Sequence, residues 1–286
     1  MESLACLNGE LMPVDQARVP VLDRGFLFGD AVYEVMRLYQ GRCWLEMDHA
    51  ARLRRSLGEM EIQGVDFGRL AARVQRAIEV SEVREGTVYI HITRGVAPRA
   101  HVFPDPPVPP TELIVILPYD DAPIGRLRAS GVNVLSHPDL RWKRCDVKST
   151  NLLANVLACQ AAQRAGCFEA ILFGEDGQVT EATHTSVLWV RGGRLEGTPN
   201  GTGILPGMTR QLVLRLVKNL SLPWAESRIT LDELRAAEEV LLVGTTMEVL
   251  PVVRIDGAAV SEGRPGPVAR RLQDAYLAAI EHWLSA

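Results

Sequence analysis

The 286-residue chain has no run near the ~20 consecutive apolar residues that a membrane-spanning helix needs, so a soluble protein is expected. It has no basic excess. Lys and Arg total 31 against 35 Asp and Glu, a formal charge of -4, which argues against a generic nucleic-acid binder. The first ten residues carry Glu2 and Asn8 and lack a basic start followed by an apolar run, so no signal peptide is expected and the cytoplasm is the expected address. The five cysteines, Cys6, Cys43, Cys145, Cys159 and Cys167, form no CxxC pair and no His/Cys cluster with zinc-like spacing; reduced, mostly buried thiols are expected, and no metal site. There is no GxxxxGK[ST] phosphate loop, no HExxH helix and no GxSxG elbow. After Gly201-Thr202-Gly203 the next glycine, Gly207, comes one position too late for a dinucleotide fingerprint. No internal repeat is present.

What is there is an ordinary globular balance, 47% apolar and 23% charged, with length for one large domain or two modest ones. Strand patterns with turn residues between them predict a hairpin around 4–13 and a strand over 31–39 that stops at Gln40-Gly41. Helical spacing predicts helices over 47–60 and 67–80, and β-branched runs predict strands over 87–94 and 112–117. Between those strands, 95–110 is proline-rich and reads as a loop. The polar stretch 119–125 is the expected linker between a domain at 1–118 and a second at 126–286. In the second half, strands are expected over 132–136, 170–173, 179–182, 187–190 and 240–243. Helices are expected from a Ser149 or Thr150 cap to about 164, over 209–219, and over 267–283. Strands clustered ahead of helices suit an α+β architecture or a barrel-like sheet.

Four local features bear chemistry, and each alone reads as ordinary surface or capping. Lys148, in Arg144-Cys145-Asp146-Val147-Lys148-Ser149, stands just ahead of a helix: a solvated charge, or an amine delivered into a cleft where it forms a Schiff base. Glu181, on a strand of β-branched and apolar neighbours, is either a solvent-facing carboxylate or the anion that keeps a pyridine nitrogen protonated. Gly203-Ile204-Leu205-Pro206-Gly207-Met208-Thr209 opens a helix, a plain cap or an anion site with free amides at Met208 and Thr209. Gly244-Thr245-Thr246 is a second turn with donors. Arg99-Ala100-His101 in the proline-rich loop is a solvated pair or a carboxylate clamp.

Together, and in this order, these segments resemble the fold-type IV pyridoxal-phosphate enzymes, the branched-chain-aminotransferase-like group, and within it the D-amino acid aminotransferase branch. The likeness runs over nearly the whole chain: 23–35 (DRGFLFGDAVYEV), Thr93-Arg94-Gly95 into Pro98-Arg99-Ala100-His101, 141–149 (RWKRCDVKS), Val179-Thr180-Glu181, 203–210 (GILPGMTR) and Thr245-Thr246. The resemblance implies a small α/β N-terminal domain and a larger barrel-like C-terminal domain carrying the cofactor lysine. It implies pyridoxal 5'-phosphate, with Lys148 forming the Schiff base and moving the proton and Glu181 at the pyridine nitrogen. Arg52, Met208, Thr209 and Thr246 would hold the phosphate, and Leu205 would pack on the ring. Tyr33, Arg99 and His101 look like the trap for the substrate α-carboxylate. Because the Arg and His act across a dimer interface in that branch, a homodimer is implied, acting on small amino and keto acids. The reaction implied moves an amino group between a D-amino acid such as D-alanine and an α-keto acid such as 2-oxoglutarate. Alternatives within the same fold are an L-branched-chain aminotransferase, an (R)-amine transaminase and an aminodeoxychorismate lyase. From a different class come a non-catalytic cofactor-binding protein and a structural dimer. The branch usually has a serine-rich run after its glutamate, and here it reads Ala182-Thr183-His184-Thr185-Ser186, which bears on substrate range.

Overall fold

A computed structural model describes residues 3–286, and the chain forms two compact units. The first runs to Asp120 and takes in Val147–Asn151; the second comprises Asp121–Asp146 and Leu152–Ala286.

The first unit is built on strands β1 (Leu4–Leu7), β2 (Glu10–Pro13), β3 (Ala31–Tyr39), β4 (Arg42–Cys43), β5 (Gly86–Thr93) and β6 (Thr111–Pro118), with helices α1 (Arg24–Phe28), α2 (Glu46–Glu59) and α3 (Phe67–Ser81). The strands form one antiparallel sheet in the order β2-β1-β6-β5-β3-β4. Alternation along each strand sends Val32, Met36 and Leu38 of β3, Val88, Ile90 and Ile92 of β5, and Ile114 and Ile116 of β6 to one face. There they bury against Leu53 and Leu57 of α2 and Leu70, Val74 and Ile78 of α3. The Asp66 carboxylate starts α3 by accepting from the amides of Gly68 and Arg69 at 2.9 and 3.1 Å. Tyr33, Tyr89 and His91 fall on the opposite face, with Tyr33 and His91 directly across from each other.

The second unit contains α4 (Ala122–Ser130), β7 (Val132–Pro138), α5 (Leu153–Arg164), β8 (Glu169–Phe173), β9 (Val179–Ala182), β10 (Ser186–Arg191), β11 (Arg194–Gly197), α6 (Met208–Asn219), β12 (Trp224–Glu226), α7 (Leu231–Arg235), β13 (Glu239–Gly244), β14 (Glu248–Ile255), β15 (Ala258–Ala259) and α8 (Pro267–Ser285). Its mixed sheet runs β12-β11-β10-β13-β14-β7-β8-β9, with β15 added to β14, and curls as a half-barrel. Val132, Val134, Ile171, Val187, Trp189, Val240, Leu242, Leu250 and Val252 form the core of this unit. Helices α6 and α8 pack on each other and against β13, and α8 also covers β14. The α+β class expected from the strand clustering holds.

Three expectations change in detail. The 119–125 stretch runs directly into α4, which begins at Ala122 with a proline in its first two positions. Neither Ser149 nor Thr150 caps α5, whose N-cap is Leu152. Both lie in the segment paired with β3 instead: Val32 and Ser149 form a bridge, and the Thr150 N–H donates to the Ala31 carbonyl at 3.1 Å. Finally, the segment carrying Lys148 packs with the first unit rather than the second, because it pairs with β3.

Candidate active site

β4 pairs with Leu38 and Tyr39, at the far end of β3. At its beginning, β3 is paired by residues 148–150: Tyr33 donates its N–H to the Lys148 carbonyl at 3.0 Å, and Val32 and Ser149 form an antiparallel bridge. Alternation then decides where the side chains go. Val147 joins the apolar core, while the Lys148 ammonium lies over the Tyr33 ring, 4.3 Å from its centre. The Lys148 N–H reaches Ser56 Oγ of α2 at 3.3 Å, which fixes the backbone under the amine. Tyr33 packs at 5.8 Å from the Tyr89 ring, whose phenol burial pushes up to about 12.

Arg52 is buried on α2, with its guanidinium forked onto one carboxylate. Its Nε and Nη2 donate to Glu34 Oε1 and Oε2 at 2.7 and 2.8 Å. Glu34 is a β3 residue on the core face, and its second partner is His49 Nδ1 at 2.7 Å. Burial pushes the Glu34 carboxyl up, but Arg52 and then His49 hold it far below the ordinary carboxylate range. Burial also lowers His49 below its ordinary 6.5, outweighing the pull of Glu34.

Arg99 and His101 lie on the exposed loop after β5, and Phe28 meets both. The Arg99 guanidinium carbon is 5.3 Å from the Phe28 ring centre, and the His101 ring is at 5.6 Å.

The second unit holds the remaining predicted residues. Glu181 on β9 is buried and accepts from the Leu205 N–H at 3.2 and 3.1 Å and from Arg141 Nη1. Arg141 is in turn clamped by Asp139, Nε to Oδ1 at 2.9 Å and Nη2 to Oδ2 at 2.7 Å, and the Thr180 hydroxyl donates to Asp139 at 2.7 Å. Burial pushes the Glu181 carboxyl up against the pull of Arg141 and the Leu205 amide. Burial would lower Arg141, but Asp139 and Glu181 hold it well above its ordinary value, so it stays a cation.

Met208 and Thr209 are the first buried residues of α6, whose N-cap Gly207 offers no side chain to their amides. A Cβ on Gly207 would lie 2.7 Å from Ser186 Oγ, and one on Gly244 would lie 2.9 Å from Thr185 Cγ2. Backbone at both glycines therefore approaches the 183–186 turn more closely than any side chain permits. Half-buried Thr246 sits in the turn between β13 and β14. The 183–186 turn is fixed from behind by Glu169, which is fully buried and accepts from Thr183 Oγ1, the His184 N–H and Thr185 Oγ1 at 3.0, 2.7 and 2.9 Å. His184 Nδ1 lies 3.1 Å from the same carboxylate, so its ring is drawn onto Glu169.

Sequence reasoning passed over Glu34, His49, Asp139, Arg141 and Glu169. Two signals were available for the first pair: an acidic residue at a core-face position of β3, and His49 and Arg52 three apart on one helix face. Arg141 and Glu169 gave no local signal, since Glu181 lies 40 residues from Arg141 and Thr183 lies 14 from Glu169.

Residues 31–255 match the model of the amino-transferase class IV family. The chain is 38% identical over 277 residues to the D-alanine aminotransferase of Staphylococcus haemolyticus, covering 96% of this chain and 97% of that one. It is also 38% identical over 272 residues to the D-alanine aminotransferase of Bacillus licheniformis, covering 94% of each. Among solved structures, the branched-chain aminotransferase of the thermophilic archaeon Thermoproteus uzoniensis with norvaline superposes with a TM-score of 0.83 at 26% identity, over 96% of this chain and 93% of that one.

Proposed function

Since the chain belongs to the amino-transferase class IV family, we propose that it is a pyridoxal-phosphate-dependent transaminase moving an amino group between a D-amino acid, such as D-alanine, and an α-keto acid, such as 2-oxoglutarate. The observation that carries this reading is the Lys148 amine, held by backbone pairing to β3 and laid over Tyr33, in a chain that also holds a buried, arginine-paired Glu181.

The residues fit the cofactor. Glu181 offers a buried carboxylate to a protonated pyridine nitrogen, and Leu205 is half-buried beside it to pack on the ring. The uncapped amides of Met208 and Thr209 and the Thr246 hydroxyl supply donors to a phosphate at turns that side chains other than glycine would fill; Arg52, on α2 and forked onto Glu34, is the guanidinium we assign to it. When bound, the cofactor supplies an electron-withdrawing ring that stabilises negative charge at the substrate α-carbon. Lys148 would be the residue that holds it, and the Lys148 amine would take the α-proton and give it back. Tyr33, Arg99 and His101 bind the α-carboxylate.

Arg99 and His101 serve the site of a second copy, so the working unit is a homodimer. Exposed Val21, Phe26, Val102 and Phe103 near that loop, and Leu153, Val156 and Leu157 along α5, are the apolar surface such an assembly covers. We place the protein in the cytoplasm, whose reducing conditions suit its five free thiols.

The test is a chiral assay of the purified protein with D- or L-alanine and 2-oxoglutarate. Pyruvate formed from D-alanine alone, with D-glutamate as co-product, is expected, and Lys148→Ala should lose both turnover and the visible absorbance of bound cofactor. Turnover of L-branched-chain amino acids instead would favour the activity named for the solved neighbour. Full turnover by Lys148→Ala would overturn the lysine's assignment.

A further inference from the structure

The Arg99/His101 loop is long, exposed and proline-rich, yet the reading above requires it to present two side chains at a fixed spacing to one carboxylate. The first unit contains a device that does this. Asp23 starts α1 by accepting the Gly25 N–H at 2.8 Å and is itself held by the hydroxyls of Thr93 and Thr111 at 3.0 and 2.6 Å. A Cβ on Gly25 would come within 2.4 Å of Thr93 Cγ2, so only glycine lets this turn press onto β5. Gly29, at φ 65°, then ends α1 in the left-handed region and turns the chain into Asp30.

Asp30 joins two buried arginines. Its Oδ2 accepts from Arg24 Nε and from Arg94 Nε, both at 2.8 Å, and its Oδ1 accepts from Arg94 Nη2 at 2.9 Å. Burial pushes the Asp30 carboxyl up, but Arg94 and Arg24 hold it below the ordinary range, so it stays ionised between them. Arg24 uses its remaining donors on the loop: Nη1 reaches the Ala100 carbonyl at 2.7 Å and the Val102 carbonyl at 3.3 Å. Arg94 lies over the Phe103 ring at 3.6 Å. The backbone on both sides of His101 is thereby pinned.

Phe28 fixes the side chains. Its ring has Arg24 at 5.0 Å and Arg99 at 5.3 Å, both within the ~6 Å at which a guanidinium is attracted to a ring face, and the His101 ring tilted against it at 5.6 Å. An exposed arginine otherwise spends most of its time in rotamers pointing elsewhere, and holding it on a ring lowers the entropy lost when it binds a carboxylate. We propose that Phe28, backed by the Asp30–Arg24 pair, is the positioning residue that sets Arg99 and His101 for carboxylate binding. This rests on the reading of those two as the carboxylate pair.

The experiment compares the wild-type holoenzyme with Phe28→Leu, Phe28→Tyr and Arg99→Ala. Steady-state constants for D-alanine and the calorimetric affinity for butyrate, a plain carboxylate, are measured for each. Phe28→Leu should raise KM and weaken butyrate about two- to fivefold, as expected for losing one cation–π contact at an exposed arginine, with kcat within about twofold. Phe28→Tyr, which keeps the ring, should restore both. If Arg99→Ala weakens butyrate and Phe28→Leu does not, the role of Phe28 is overturned and the carboxylate reading stands. A Phe28→Tyr variant as impaired as Phe28→Leu likewise removes the ring from the account. If Arg99→Ala itself leaves KM and butyrate affinity unchanged, the carboxylate reading falls.

Discussion

Arg141 holds Glu181 before any ligand is considered: its guanidinium spans two carboxylates, forked onto Asp139 and reaching Glu181 with the third nitrogen. A carboxylate this deeply buried needs a fixed cation to remain charged. The neighbouring Leu205 N–H adds a second donor, so Arg141 and this amide together oppose the upward push of burial and fix the carboxylate in place.

Removing the arginine strands two buried acids. Arg141→Met should cost about 3–5 kcal/mol of unfolding free energy, as breaking a buried pair from one side typically does. Adding Glu181→Gln to that variant should recover part of the loss, because one of the stranded charges disappears. Chemical denaturation of the three variants checks this, and a double variant no more stable than Arg141→Met would refute the coupling.

Acid should destabilise the protein in two stages. His49 titrates below its ordinary 6.5 when folded, so the unfolded chain takes up its proton first. The stability His49 contributes is complete above pH 6.5 and declines as pH falls below it. The carboxylates of Glu34 and Asp30, ordinarily at 4.5 and 3.8 but held lower in the fold, keep their contribution above those values and lose it as pH drops through their folded pKa values. Melting temperature against pH should show both limbs, and His49→Gln should remove the upper one. A single limb beginning below 4.5 in the wild type would rule out the role given to His49.

At the start of α6, Gly207→Ala tests the close approach of backbone to Ser186. The backbone angles there suit alanine, so the added methyl acts through its 2.7 Å contact with a buried hydroxyl. Overpacking of this kind costs about 1–3 kcal/mol, and it should fall on cofactor affinity as well as on stability. Spectral titration of the apoprotein with pyridoxal phosphate reads the first and thermal melting the second. Wild-type affinity in the variant would mean this turn takes no phosphate.

Local pattern made much of the fold legible. The alternation over Ala31–Tyr39 and the helical spacing over 67–80 translate directly into β3 and α3, because in both the side-chain period is set by burial on one face. β14 escaped because Pro251 lies within it, and a proline argues against a strand in the middle of a sheet; here it stands opposite Leu241 between β13 and β7. Of the proposed site, the residues that recur in motifs, such as Lys148 and Glu181, can be named from the sequence. Their supports cannot, because Arg141's hold on Glu181 and Glu169's hold on the 183–186 turn are contacts between distant parts of the chain that no spacing rule encodes.

Pairing of residues 148–150 with the start of β3 has a consequence for solubility. A strand edge with unsatisfied amides and carbonyls is a template on which other chains assemble. The short segment that carries Lys148 also closes this edge, through the amides of Tyr33 and Thr150. A substitution that loosens it therefore exposes an apolar strand to intermolecular pairing, and aggregation becomes as direct an outcome of damage there as lost catalysis.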